Sequence, residues 1–327
     1  MRKHHDVPFK APLQLPICSL PDSSASDRVE VHGGGGIAEV ESYATAVFHP
    51  KEGIRIDHFR LLRELGEGTF GRVWLARDTS LNRVVAIKFP KFNLAANQVS
   101  SRRFKREAEI AAGLSHPNII PILDAVLTPE KAYIVSEYCP GPTLDQWMHQ
   151  QNKLVSISTA VSIVSQLASG LRVAHHRDLM HRDIKPSNVI ISKDDRGRPF
   201  ANLTDFGMAR SMTDVNETMA GTLIGSAPYM SPEQACGNID THGAHSDVYS
   251  LGVLLYELLT GVSPFAASTQ MQTIQRVKEY DPPAPRVIRP SISRDLSAVV
   301  QRCLEKTPHR RYHDAGDLYD DLVRVAE

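Results

Sequence analysis

Apolar and polar positions alternate along three short early stretches, residues 59–65, 72–77 and 84–89, each bounded by turn residues. The alternation predicts three strands. Residues 101–114 have helical composition and stop before His116-Pro117-Asn118. Residues 132–138 return to a strand pattern. Beyond Thr143 helical patterns take over, predicting helices around 145–148, 156–175, 246–260 and 293–305. A strand-rich first part followed by a helix-rich second part predicts an α+β protein of two lobes. Residues 1–55 show no sustained period; their prolines, a serine- and aspartate-rich stretch and Gly33 to Gly36 predict a flexible tail. No strand pattern leads into that glycine run and no lysine or hydroxyl follows at the needed distance, so it reads as linker and not as a phosphate loop.

Composition narrows the function classes. Among 327 residues, 37 basic and 37 acidic side chains balance to a formal net charge of zero. Bulk electrostatics therefore gives no support for binding nucleic acid or a membrane surface. The longest apolar run, 249–262, is short of a membrane span and contains Glu257, so it reads as a buried helix and no membrane span is expected. Four cysteines, Cys18, Cys139, Cys236 and Cys303, lie far apart with no metal-ligand or redox spacing, which predicts free thiols and a cytoplasmic setting. Prolines interrupt the apolar residues after the basic N-terminus, so no signal-peptide core forms.

Four segments carry candidate chemistry. Leu65-Gly66-Glu67-Gly68-Thr69-Phe70-Gly71-Arg72-Val73 contains G-x-G-x-x-G. In dinucleotide-binding folds such glycines lead into a helix; here they lie between two strand patterns, so a hairpin is predicted whose backbone N–H groups can approach phosphates. Lys88 follows Gly71 by 17 residues in Val85-Ala86-Ile87-Lys88. Alternation puts Ala86 and Lys88 on one face, with Lys88 able to reach phosphates above a base resting on Ala86. A lysine in an apolar strand needs a counter-charge. Glu107 and Glu109 compete for that role, and Glu107 is favoured because it shares a helix face with Phe104, Ala108 and Ala111. In His181-Arg182-Asp183-Ile184-Lys185-Pro186-Ser187-Asn188, Asp183 can deprotonate a hydroxyl, Lys185 can neutralise a migrating phosphoryl group, and Asn188 can hold a metal ion. The upstream His176-Arg177-Asp178 lacks the following lysine and amide. Asp205, in Leu203-Thr204-Asp205-Phe206-Gly207, follows Asp183 by 22 residues and is a second candidate metal ligand, although a D-x-G triplet also marks a turn.

In this order and spacing the segments resemble the protein kinase superfamily, specifically the eukaryotic-like serine/threonine kinases common in bacteria. The resemblance covers residues 58 to 327 and implies a small β-rich N-lobe with one key helix (58–138), then a hinge and a larger, mainly helical C-lobe (139–327), after a tail of residues 1–57. It implies ATP with Mg²⁺ (Mn²⁺ the alternative), protein substrates with Ser/Thr acceptors, and autophosphorylation of an activation segment, 205–233. Residues 65–73, Ala86, Lys88, Glu137, Cys139 and Ile190 would hold the nucleotide, with Val73, Ala86 and Ile190 sandwiching the purine. Ser231-Pro232-Glu233 resembles the motif that closes the segment, and Arg311 (or Arg310) its partner. Asp247 resembles the aspartate bracing the catalytic loop. Arg182 would pair with a phosphate on Ser211, Thr213, Thr218 or Thr222. Two departures stand out: Gly225-Ser226-Ala227-Pro228-Tyr229 shifts a proline, and Ser136 replaces a larger residue before the hinge. Lys88, Glu107, Asp183, Asn188 and Asp205 are all present, which argues against a binding-only module. The Ser-Pro-Glu closure argues against a small-molecule phosphotransferase.

Overall fold

The computed structural model describes residues 50–68, 71–90, 98–128, 131–206, 226–237 and 243–326, with the backbone alone for 98–104 and 127. The tail, Thr69, Phe70, Gly207 and the four candidate acceptor hydroxyls lie outside the described residues.

The three predicted early strands are β2 (Phe59–Gly68), β3 (Gly71–Asp78) and β4 (Arg83–Pro90), following a two-residue β1 (Arg55–Ile56). The helix α1 (Gln98–Ala112) separates β4 from β5 (Ile122–Leu127) and β6 (Ala132–Glu137). All six strands form one antiparallel sheet in the order β1-β2-β3-β4-β6-β5. Val85, Ile87 and Phe89 of β4 point into a core with Phe59, Leu61 and Tyr133. The alternate residues Ala86 and Lys88 therefore face the other way, toward the cleft.

The second lobe is helical: α2 (Leu144–His149), α3 (Ile157–His175), α4 (Pro232–Ala235), α5 (Ala244–Thr260), α6 (Gln270–Glu279), α7 (Pro285–Ile288), α8 (Arg294–Cys303) and α9 (Ala315–Ala326). The Ser156 and Ser293 hydroxyls cap α3 and α8 by accepting from the N–H groups of Thr159 and Leu296. Helix α5 is buried on all sides from Ser246 to Leu255, so its apolar residues are not confined to one stripe. Helix α3, though long and apolar enough to cross a membrane by length and composition, gives Leu167 and Leu171 to the same core. Each large apolar side chain so buried contributes about 1.5–3 kcal/mol. A two-stranded ribbon, β7 (Val189–Lys193) with β8 (Pro199–Leu203), lies under the cleft and ends at Thr204 and Asp205.

Candidate active site

The cleft is built from strand ends. β2 and β3 pair through Gly68↔Gly71, so the glycine segment is the predicted hairpin. At Gly71 a Cβ would meet the Phe89 carbonyl oxygen at 2.2 Å, so only glycine lets β3 pass β4 there. Glu67 and Arg72, opposite each other in the hairpin, form an ion pair at 3.4 Å. Val85 pairs with Glu137, which joins β4 to the connection between lobes. On the far side Gly141, at φ 153°, lies so close to Ile191 that a Cβ would meet its carbonyl oxygen at 2.3 Å, and Thr143 bridges Ile190. The connection thus holds Ala86 and Ile190 on opposite walls. Leu65, Val73, Ala86 and Ile190 are all half-buried, as cleft-lining residues are. The Cys139 N–H and C=O enter no backbone hydrogen bond among the described residues. Burial, with Glu137 nearby, pushes the Cys139 thiol up.

The loop 181–188 brings its polar groups together. Lys185 Nζ lies 2.8 Å from Asp183 Oδ2 and donates to Ser226 Oγ at 2.7 Å, so the shifted proline leaves that serine bridging the lysine. Asn188 Nδ2 donates to Asp183 O (2.7 Å) and Oδ2 (2.9 Å). An amide whose nitrogen is used twice this way keeps its oxygen free to face a cation. Asp205, at φ 67°, forms an ion pair with Lys88 Nζ at 2.9 Å. Burial raises the Asp205 carboxyl, but the Lys88 ammonium outweighs it and holds the group below the usual carboxylate range. Asn188 and Asp205 are hard oxygen donors suited to Mg²⁺. Among the described residues no group of three His, Cys, Asp or Glu is placed to hold a metal ion.

The structure corrects one expectation. The ion pair of Glu107 is with Arg182, Oε1 to Nη1 at 2.9 Å, and not with Lys88. The helix face is as predicted, with Ala108 and Ala111 buried and Glu109 exposed. The reason for the exchange is electrostatic. Arg182 is only 9 % exposed, and a guanidinium so withdrawn from water needs an anion, while Lys88 already has Asp205.

Behind the loop, Asp247 is fully buried and accepts from the His181 N–H through Oδ2 (2.8 Å) and the Arg182 N–H through Oδ1 (2.8 Å). His175 Nδ1 accepts from the Ala315 N–H, so its Nε2 donates to Asp247 Oδ2 at 2.9 Å. Burial raises the Asp247 carboxyl; the bond from His175 and the neighbouring His181 outweigh it. Phe206 stacks edge-on against His181, with centroids 4.8 Å apart. The upstream copy of the motif is a surface turn: His176, Arg177 and Asp178 are exposed, and Arg177 donates to the Gly113 carbonyl below α1. Sequence reasoning missed His175, and it missed Gln234, whose side chain reaches Arg182 O at 2.8 Å. Its place on the apolar face of α3 that carries Leu167, Ala168 and Leu171 was the available signal for His175.

Known proteins resemble this chain over most of its length. The protein kinase domain pattern matches residues 59–319. Serine/threonine-protein kinase PknB of Mycobacterium leprae is 39 % identical over 274 residues, covering 82 % of this chain and 43 % of that protein. Serine/threonine-protein kinase PrkC of Bacillus subtilis is 36 % identical over 264 residues, 81 % and 40 % respectively. The chain thus spans less than half the length of the curated relatives it matches. The solved PknI kinase domain of Mycobacterium tuberculosis, a C20A_R136A double mutant, superposes with a TM-score of 0.69 at 25 % identity, covering 86 % of this chain and all of that one.

Proposed function

The chain belongs to the protein kinase domain family, and on that premise we propose that it is an ATP- and Mg²⁺-dependent serine/threonine protein kinase, acting on protein hydroxyls and on its own segment 205–233. One observation carries the reading: Asp183, Lys185, Ser226 and Asn188 converge on one point beside the Lys88–Asp205 pair. Asp183 accepts the acceptor hydroxyl's proton, Lys185 neutralises the phosphoryl group in transit, and Lys88 holds phosphate oxygens. Asn188 and Asp205 would hold a divalent ion, which would supply positive charge to offset that of the phosphate groups. Catalysis is then positioning and charge stabilisation, with little covalent work. A cytoplasmic setting is supported by the free thiols of Cys139, Cys236 and Cys303. The test is incubation of the protein with labelled ATP and Mg²⁺, followed by phosphosite mapping. Label on serine and threonine is expected; bound nucleotide without any label would leave a binding module instead.

The Glu107–Arg182 pair adds a regulatory reading. A phosphate on Ser211, Thr213, Thr218 or Thr222 would compete for the Arg182 guanidinium and release Glu107 toward Lys88. Dephosphorylated protein is expected to be about tenfold slower than phosphorylated protein, the effect of ~1.4 kcal/mol in that equilibrium. Full activity with an unmodified segment would sink this idea.

Ser136 gives a further expectation. A cavity of about 20 Å³, room for a water or so, lies behind Lys88 and is lined by Ser136, Ala111, Ile119, Ile134 and Phe206. A small side chain at 136 opens the cleft into it. ATP analogues with bulky adenine substituents are expected to compete with ATP in the wild type and to lose that ability in Ser136→Met, with ATP use retained. Competition assays on the two proteins decide it; analogues that fail on the wild type remove the idea.

A further inference from the structure

Arg182 sits at φ 66°, a left-handed backbone that a residue with a side chain adopts only when its surroundings hold it there. The hold on its N-terminal side is Asp247, which takes its N–H. On its C-terminal side the Arg182 carbonyl belongs to the same rigid peptide plane as the Asp183 N–H. That N–H makes only a long bond, 3.3 Å to His181 Nδ1. The closer hold on the plane is Gln234 Nε2, which donates to Arg182 O at 2.8 Å.

The partners fix which way the Gln234 amide points. Its Oε1 accepts from the Ser231 N–H at 2.9 Å and from Ser231 Oγ at 3.2 Å, so Nε2 is left to donate. One side chain therefore completes the capping box of α4 and also reaches back 52 residues to the plane that carries Asp183. Its neighbour Glu233 points the other way, into the buried pair with Arg311. We infer that Gln234 is a positioning residue for phosphoryl transfer: it ties the anchored end of segment 205–233 to the backbone that aims Asp183. This role rests on the kinase reading above.

Gln234→Glu separates aiming from capping. A glutamate at this position still caps α4, but at neutral pH it turns a carboxylate oxygen toward the Arg182 carbonyl. When protonated it can donate again. We expect kcat for Gln234→Glu to fall about tenfold at about pH 8, with KM for ATP and the melting temperature little changed. Its kcat relative to wild type should climb back as pH falls toward about 6. Gln234→Met should lose kcat with a pH-independent ratio. Hydrogen exchange should quicken at residues 181–188 in both variants. Wild-type kcat in Gln234→Glu across this range, a loss confined to KM, or unchanged exchange would overturn the role while leaving the kinase reading intact. Wild-type protein that transfers nothing would overturn the kinase reading and this role with it.

Discussion

Asp183→Asn is expected to lower kcat by roughly 10²- to 10⁴-fold, with KM for ATP nearly unchanged. The substitution preserves shape and removes the base. Asp183 Oδ2 already faces two donors, Asn188 Nδ2 at 2.9 Å and Lys185 Nζ at 2.8 Å. In the variant the amide oxygen must take that place, because an NH₂ group cannot accept from either. The second position, Oδ1 in the wild type, makes no hydrogen bond among the described residues and is the oxygen left to receive a proton. In the variant it becomes an NH₂ that can only donate. ATP binding should survive because the cleft walls, Leu65, Val73, Ala86 and Ile190, and the Lys88–Asp205 pair lie on other elements. Steady-state kinetics on the two proteins check this. A variant keeping more than about a tenth of wild-type kcat would show that Asp183 does not take the proton.

What could be read from the sequence was whatever short-range geometry fixes. Strand alternation was enough to place Ala86 and Lys88 on one face. The span from His181 to Asn188 was enough to group Asp183, Lys185 and Asn188, because a single turn of loop carries all three. Helix period was enough to turn Glu107 inward and Glu109 outward. The partner of Glu107 was not legible. Choosing between Lys88 and Arg182 depends on where a whole helix docks, which is a balance between ion pairs 19 and 75 positions away in the chain. The same holds for Gln234 and His175, whose roles exist only once distant segments meet. Some elements escaped for local reasons. In β5 a register shift between Ile122 and Asp124 breaks the alternation. In α6 only Thr273 and Val277 are buried, too narrow a stripe to stand out. The ribbon β7–β8 did carry a turn signal, Asp194 to Gly197, that a closer search for hairpins would have used.

Arg311→Ala is expected to destabilise the folded protein by about 3–5 kcal/mol, the cost of leaving one member of a buried ion pair behind. For a domain of this size that lowers Tm by roughly 10 °C. The magnitude follows from how completely the guanidinium is used. Arg311 Nη1 donates to Glu233 Oε1 (2.8 Å) and His245 O (3.0 Å); Nη2 donates to Glu233 Oε2 (2.9 Å) and Lys306 O (3.0 Å); Nε donates to Glu305 O (2.7 Å). All five N–H groups are engaged, and the Arg311 side chain is 0 % exposed. Its removal strands one carboxylate and three carbonyls. Arg310, the alternative partner, is 67 % exposed and lies 4.0 Å from Glu305, so it cannot substitute. Lysine cannot either, since it lacks the planar fork that grips both carboxylate oxygens. The pH dependence follows from Glu233. Burial raises its carboxyl, but the Arg311 bonds outweigh this and hold it down at about 2, against an ordinary value of 4.5. A folded-state value below the unfolded one means the stabilisation is fully present above about pH 4.5 and fades as pH falls toward about 2. Thermal melts of wild type and Arg311→Ala should therefore lie far apart at neutral pH and converge on acidification. A gap that stays constant down to about pH 3 would show that the lost stability belongs to the carbonyl bonds and not to the ion pair. Because Glu233 closes segment 205–233 and adjoins Gln234, the same variant should also loosen the catalytic loop, so its activity should fall before the protein unfolds.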